Sequence, residues 1–265
     1  MKSYKKFWIL SIMFANVVLA NETASKDART IFQVAPISEL AAGAYDGGSF
    51  TFGELKTKGD FGLGTFLDLN GEMVALDGKF YQMLEKGHIK LVNDNDKVPF
   101  AEVNYFIPSQ KPVKLTTIEN YQDLSNVILS KFNDKNAPYA IRVDGKFKSL
   151  TFRVLRKQNP PFKSLSDAAK TEEIITVQNV EGTLVGYWFP QYLAGVAVPS
   201  FHLHFINKAH TLGGHVLGIS LINGTLNLEQ IDNLNISFPK TSSFSNANLS
   251  GEKILDNINS AEKSH

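Results

Sequence analysis

The sequence of 265 residues contains no cysteine. This absence excludes disulfide bonds, iron–sulfur clusters, zinc sites built on thiolates and cysteine nucleophiles. Any metal site must therefore be built from histidine, aspartate or glutamate. Without covalent cross-links the fold depends on its core. Hydrophobic residues make up 43% of the chain and include 19 phenylalanines, enough for a chain of this length to bury a core.

The sequence also lacks a large excess of charge of either sign. Lysine and arginine together number 27, aspartate and glutamate together number 26, and the formal net charge is +1. Binding of nucleic acid through phosphate contacts requires a strongly basic surface. We therefore expect no nucleic-acid partner, and a small β-domain that binds DNA through basic arms is disfavoured.

Long apolar runs are scarce, and the one at the N-terminus is short. Residues 7–20 are mostly apolar, follow three lysines, and end in the small residue Ala20. A membrane-spanning helix needs roughly 20 apolar residues, whereas this order of basic, apolar and small residues is typical of a secretory signal peptide. We predict a signal peptide at residues 1–20, cleaved near Ala20, with an uncleaved anchor as the alternative. Cleavage would leave an exported protein, periplasmic or extracellular, without a membrane segment.

Short strand-like segments separated by turn signals dominate the remaining sequence. Asn70-Gly71, Asp77-Gly78 and Asp144-Gly145 are dipeptides typical of tight turns between antiparallel strands. Five short runs in the second half begin at intervals of 8 to 19 residues, which is typical of a β-sandwich or barrel-like sheet. These predicted strands are residues 174–180, 182–189, 201–207, 215–221 and 224–228.

Helices are few in the predicted fold. Apolar residues at helical spacing favour a helix over residues 121–132, and shorter helices are predicted over residues 38–45 and 164–170. Asn159-Pro160-Pro161 is the clearest break in mid-chain. We therefore predict an N-terminal domain at residues 21–158 and a C-terminal β domain at residues 159–240.

Three of the six histidines fall within fourteen positions and form a candidate metal site. His202 and His204 are separated by one residue, so on a strand both side chains point to the same face. The apolar residues that alternate with them would point into a core. His215 follows two glycines, and a hairpin would place it opposite the pair. We therefore predict a metal site on adjacent strands of the C-terminal half.

Three histidines leave an open coordination position, which is typical of a catalytic zinc site. Imidazole ligands alone do not distinguish zinc from iron, copper, nickel or cobalt. Half-buried strand histidines without a metal are the simpler alternative. On the residues alone, two other functions stay open: an exported cupin-like, metal-dependent dioxygenase, and a non-catalytic metal- or sugar-binding β-module. The dioxygenase usually has a carboxylate shortly after its histidine pair, where this chain has Asn207 and Lys208.

Several segments resemble the alpha-acetolactate decarboxylase family, in the same order and spacing. The resemblance extends from residue 32 to residue 262, nearly the whole chain after the predicted signal peptide. In the C-terminal half it rests on residues 182–190 (GTLVGYWFP), 198–205 (VPSFHLHF) and 213–217 (GGHVL). Earlier in the chain it rests on residues 64–66 (GTF), 70–81 (NGEMVALDGKFY), 139–145 (YAIRVDG), 153 (R) and 158–161 (QNPP).

The resemblance implies a fold and a reaction. The fold is α/β and rich in β-structure, a two-part subunit of mixed β-sheets with a few helices that forms a homodimer. The reaction is the decarboxylation of 2-acetolactate to (R)-acetoin and CO2, a step of acetoin biosynthesis. The cofactor implied is Zn2+, bound by the three histidines at 202, 204 and 215. The metal would act as a Lewis acid that stabilises an enediolate.

The resemblance also implies the catalytic residues. Glu72, Thr65 and Arg153 fall where the family has active-site groups. Glu262 best fits a glutamate near the family's C-terminus, carried by a tail at residues 241–265 that folds back toward the metal, and Glu252 is the alternative. The histidines at 88, 210 and 265 match no ligand position.

Overall fold

The computed structural model describes residues 28–251 and 253–262. The predicted signal peptide at residues 1–20 lies outside the described residues, as do Glu252 and His265. Two large β-sheets dominate the described chain, and a short pair of strands, β2 and β7, stands apart from them. The prediction of a β-rich fold of mixed sheets with few helices is confirmed.

The bounds of the regular elements are as follows. The strands are β1 Thr30–Val34, β2 Phe50–Thr51, β3 Phe61–Thr65, β4 Glu72–Leu76, β5 Lys79–Met83, β6 Ile89–Leu91, β7 Lys97–Val98, β8 Ala101–Asn104, β9 Val113–Leu115, β10 Tyr139–Val154, β11 Glu173–Phe189, β12 Ser200–Asn207, β13 Gly213–Gln230 and β14 Asn233–Ser237. The helices are α1 Ser38–Ala41, α2 Phe52–Leu55, α3 Tyr121–Leu129, α4 Leu165–Ala169, α5 Ser242–Asn246 and α6 Ile254–Glu262.

The seven-stranded sheet has the order β14-β1-β8-β3-β4-β5-β6. It is mixed because β1 and β14 run parallel, whereas the other neighbours are antiparallel. The predicted turn at Asp77-Gly78 is confirmed between β4 and β5. Both residues have positive φ, 51° and 76°, which suits the twist of a two-residue hairpin. The connection from β3 to β4 is longer than the predicted turn, although Asn70-Gly71 does end it.

The second sheet closes on itself. Strand β10 pairs with both β11 and β13, and β12 pairs with β11 and with the start of β13, so the four strands form a ring of pairings. Strand β9 adds to the far part of β13. Large apolar side chains, among them Phe147, Phe152 and Phe205, fill the core that these strands share.

The prediction of a hairpin turn at Asp144-Gly145 is wrong, because β10 runs through it without a break. Gly145 lies in register with Gly182 on β11 and Gly224 on β13. A Cβ atom on Gly145 would lie 2.8 Å from the carbonyl oxygen of Asn223, so glycine serves close approach between strands here. Pairing with β10 also continues through Gly182 and Gly224. The predicted pairs of short strands at 174–189 and 215–228 are therefore each one long strand.

The two sheets do not divide the chain at the predicted boundary of residues 158 and 159. Strand β10, which precedes this point, is central to the second sheet, and β14, which follows it, lies in the first. The segment with Pro160-Pro161 links β10 to α4 instead of separating two domains. Each sheet therefore contains strands from both sides of the predicted boundary, and the two sheets share an extensive apolar interface.

Residues 253–262 fold back onto the body of the protein. Helix α6 packs against α1 and α4, and its residues Ile258 and Ala261 are buried in the core between the sheets. The helix predicted over residues 121–132 is present as α3, and the side chain of Asn120 caps it by accepting the N–H of Asp123. Within the described residues, the helices are all too short or too polar to cross a membrane.

Candidate active site

His202, His204 and His215 meet at one buried point between the two sheets. Their ligand atoms all lie within 4.8 Å of one another. His202 and His204 occupy β12 with one residue between them, and His215 stands directly opposite His204 on β13. The predicted strand and hairpin arrangement is confirmed, and the described residues place three imidazoles where one metal ion can bind.

The sequence around the histidines explains this convergence. Phe201, Leu203 and Phe205 alternate with the histidines and point into the core of the second sheet, which fixes the opposite face of β12. Gly214 precedes His215 where β13 passes close to β10, and a Cβ atom there would lie 2.3 Å from the carbonyl oxygen of Arg153. Any larger residue would push β13 and its histidine away.

The first sheet orients one of the imidazoles. Nδ1 of His204 lies 2.8 Å from the carbonyl oxygen of Met73 on β4. Because a carbonyl only accepts hydrogen bonds, Nδ1 carries the proton, and Nε2 keeps its lone pair. That Nε2 atom is buried and finds no hydrogen-bond partner among the described residues. A backbone contact of this kind fixes the tautomer of a metal-binding histidine.

Electrostatics keep the three imidazoles neutral. Burial, aided by the positive charge of Arg153, lowers the pKa of His202 to about 3. Burial also lowers the pKa values of His204 and His215, with Arg153 and the neighbouring histidines acting in the same direction. A neutral, buried imidazole with a free lone pair is the form that binds a metal ion. The donor set therefore fits a metal that accepts nitrogen ligands.

Glu72 and Thr65 face each other across β3 and β4. Oε2 of Glu72 lies 3.7 Å from Nε2 of His204, so the carboxylate borders the space that an ion on the triad would occupy. The hydroxyl of Thr65 donates to the carbonyl oxygen of Gly71, 2.8 Å away. Thr65 thus fixes the connection immediately before Glu72 and also lines the inner cavity.

The buried carboxyl groups favour their protonated forms. Burial raises the pKa of Glu72 to about 8, with Arg153 acting in the opposite direction and Glu262 adding to the rise. Burial also raises the pKa of Glu262, and Arg153 again opposes it. A carboxylic acid kept neutral near neutral pH can donate a proton, whereas a cation bound nearby would favour the carboxylate.

Among the described residues, Arg153 is the only arginine that lines the cavity beside the histidines. It is fully buried, and its three nitrogens face three carboxylates. Nε lies 4.0 Å from Oε1 of Glu72, Nη1 lies 3.0 Å from Oε2 of Glu172, and Nη2 lies 3.3 Å from Oε2 of Glu262. The family resemblance implies Arg153 and Glu72 as candidates, and the structure brings both to the histidines.

Glu262 reaches the site from the last turn of α6. Its Oε2 lies 3.5 Å from Nε2 of His202 and 3.4 Å from Nδ1 of His215. These separations are close to those between two ligands of one ion, since zinc–ligand bonds of roughly 2.1 Å at tetrahedral angles place ligand atoms about 3.4 Å apart. The structure thus brings Glu262 to the site, and Glu252 lies outside the described residues.

Two features of the site carry no local sequence signal. Glu172 sits in a polar segment, KTEE, that resembles any solvated turn, yet its carboxylate binds Arg153. The carbonyl of Met73 orients His204, and a backbone group leaves no trace in the pattern of side chains. His210, by contrast, lies elsewhere, with its Nδ1 2.9 Å from the hydroxyl of Tyr81.

The inner cavity is small, and apolar side chains line it together with the polar residues of the site. Its volume is about 20 Å³, which is room for one water molecule. The apolar lining consists of Ile37, Leu40, Phe100, Leu155 and Leu165. A larger groove of about 340 Å³ runs outward between α3 and α6, and Glu262 borders both spaces.

Comparisons with known proteins agree on one family. Residues 31–251 match the profile of the alpha-acetolactate decarboxylase family. The alpha-acetolactate decarboxylase of Bacillus subtilis is 36% identical over 93% of this chain and 96% of its own, and that of Brevibacillus brevis is 37% identical over 83% and 76%. The crystal structure of the Bacillus subtilis enzyme superposes with a TM-score of 0.85, covering 89% of this chain and all of that one.

Proposed function

The chain belongs to the alpha-acetolactate decarboxylase family, a family of carboxy-lyases, and we propose that it converts 2-acetolactate to (R)-acetoin and CO2 with Zn2+ as cofactor. The observation that carries the proposal is the buried histidine triad with two glutamates and an arginine around it. Family membership also favours decarboxylation over the dioxygenase and the non-catalytic binding module.

The chemistry requires a place for an electron pair and a source of one proton. When the bond from C2 to the carboxylate breaks, CO2 leaves and the electron pair moves toward the neighbouring ketone, which gives an enediolate. One proton added to carbon then completes acetoin. Zinc held by His202, His204 and His215 would supply a Lewis acid for the developing negative charge, so no organic electron sink is needed.

The chain's own residues bind the substrate and supply the proton. Arg153 presents fixed N–H donors that suit the substrate carboxylate or its hydroxyl group. Glu72, whose Oε2 lies 3.7 Å from Nε2 of His204, is the proposed proton donor to one face of the enediolate. Glu262 is the second acid of the site, and Thr65 holds the backbone that precedes Glu72. A proton delivered to one face gives one enantiomer.

The first test of this proposal is acetoin release from racemic 2-acetolactate with and without a chelator. We expect the purified protein to release (R)-acetoin, resolved by chiral gas chromatography. Removal of the metal by dialysis against a chelator should abolish release, and added Zn2+ should restore it. The control is dialysis against chelator already saturated with Zn2+. Undiminished turnover by protein without detectable metal would exclude the proposed zinc chemistry.

Assembly and location belong to the same proposal. We infer a homodimer, because the family resemblance implies one, and export to the periplasm or medium, because of the basic and apolar N-terminal sequence. Apart from the small-molecule substrate and the second subunit, no other partner is proposed.

Cleavage of the signal peptide gives a direct prediction. N-terminal sequencing of the exported protein should begin at or close to Asn21, since Ala20 ends the apolar run. Protein from the spheroplast fraction of the same cells serves as the comparison. A chain that begins at Met1 in the exported fraction would show that the segment is not removed.

A further inference from the structure

Glu172 differs from the two other carboxylates around Arg153 in what else it contacts. Glu72 and Glu262 also lie 3.4–3.7 Å from histidine nitrogens and so border the proposed metal site. Among the described residues, Glu172 shows no such contact, and its Oε2 accepts a hydrogen bond from Nη1 of Arg153 at 3.0 Å. Glu172 is therefore free to hold the arginine without competing for the ion.

Backbone hydrogen bonds on both sides of Glu172 fix its position beside Arg153. Its N–H donates to the carbonyl oxygen of Ala169 at the end of α4, and β11 begins at the next residue, Glu173. Glu173 is in register with Val154, the neighbour of Arg153 on β10. A carboxylate anchored on both sides thus approaches the guanidinium from the rim, where the side chain of Glu172 is 17% exposed and that of Arg153 only 2%.

We propose that Glu172 is a positioning residue that fixes the guanidinium plane of Arg153. The guanidinium is planar, and its Nε end is attached to the aliphatic part of the side chain. A hydrogen bond that fixes Nη1 therefore also sets the directions of Nε and Nη2. These two nitrogens face Glu72 and Glu262, on the side of the histidines. Without Glu172, the guanidinium would be drawn wholly toward the inner carboxylates and away from the position that suits the substrate. The inference rests on the proposed role of Arg153 in decarboxylation.

The expected result is a loss of turnover without a loss of metal. Glu172→Ala should lower kcat on the order of 10- to 100-fold, the usual effect of misplacing a catalytic group by about 1 Å, with a smaller change in KM. Glu172→Gln should lose less, because its amide oxygen still accepts from Nη1. The matched control is Glu173→Gln, since that neighbouring carboxylate accepts the backbone N–H of Lys86 instead. Zinc content and melting temperature should stay near those of the wild type.

A double-mutant cycle separates positioning from a general structural effect. If Glu172 acts through Arg153, then Glu172→Ala should cost little further activity in an Arg153→Lys background, whereas independent effects would multiply. Should the alanine protein fold poorly, the cycle is run with Glu172→Gln. Wild-type kcat in the Glu172 variants, or losses that multiply, would overturn the inference alone. A wild-type protein that releases no acetoin overturns the proposed function and the inference with it.

Discussion

Replacing His204 with alanine should remove the metal and reduce acetoin formation by about 10³-fold or more, because a Lewis-acid metal contributes several kcal/mol to transition-state stabilisation. His204 is the member of the triad whose tautomer is fixed by the backbone of Met73 and whose Nε2 is otherwise without a partner in the described chain. The measurements are elemental analysis of the purified protein and kcat on 2-acetolactate. His202→Ala and His215→Ala should behave alike.

The control for this experiment is His210→Ala. His210 is a histidine of the same barrel-like sheet region, but its ring contacts Tyr81 rather than the triad. Its replacement should leave zinc content unchanged. Full metal occupancy in the His204→Ala protein would contradict the triad, and metal loss in both variants would point to a general effect on folding.

The histidine triad is predictable from the sequence because its geometry is local. Alternation along one strand places His202 and His204 on one face, and the next strand begins within a few residues, so His215 has little choice of position. The same reasoning fails for Asp144-Gly145. The dipeptide matches a hairpin turn, but pairing with strands on both sides keeps the backbone extended. The preference of Asp-Gly for a turn is overridden by strand pairing, which is visible only in the folded chain.

The carboxylates around Arg153 come from distant parts of the sequence, so local spacing does not predict that they meet. Glu72, Glu172 and Glu262 come from a strand of the first sheet, a turn after α4 and the last helix. They meet because the two sheets pack against each other and α6 packs against α1 and α4. The polar tail contains a short apolar pattern that includes Ile258, but spacing alone does not say where that helix docks. The family resemblance predicted Glu262 as a site residue, whereas no sequence pattern predicted Glu172.

Replacing Glu72 with glutamine should lower kcat about 10²- to 10⁴-fold, the usual contribution of a general acid. This loss corresponds to about 3–5 kcal/mol at 1.36 kcal/mol for each tenfold change. Glutamine keeps the shape and one acceptor oxygen but cannot donate a carboxylic proton. Zinc content should stay near that of the wild type, since the three histidines remain. The measurement is kcat alongside elemental analysis of the same preparation.

A second buried glutamate provides the control. Glu102 is also fully buried, and burial raises its pKa to about 8, as for Glu72. Glu102 is not among the residues lining the inner cavity, however, so Glu102→Gln should keep its turnover within a few-fold of the wild type. Similar losses in both variants would mean that buried carboxyl groups matter for stability rather than for proton transfer.

Metal content decides between the two roles that the position of Glu72 allows. Its Oε2 lies 3.7 Å from Nε2 of His204, near enough to contact an ion on the triad. If Glu72→Gln loses both activity and zinc, Glu72 is a ligand, and Glu262 becomes the better candidate for the proton donor. If the variant keeps its zinc and turns over within a few-fold of the wild type, the proposed role is wrong. Slow turnover with full zinc is the result expected of the acid, because only proton transfer has then been lost.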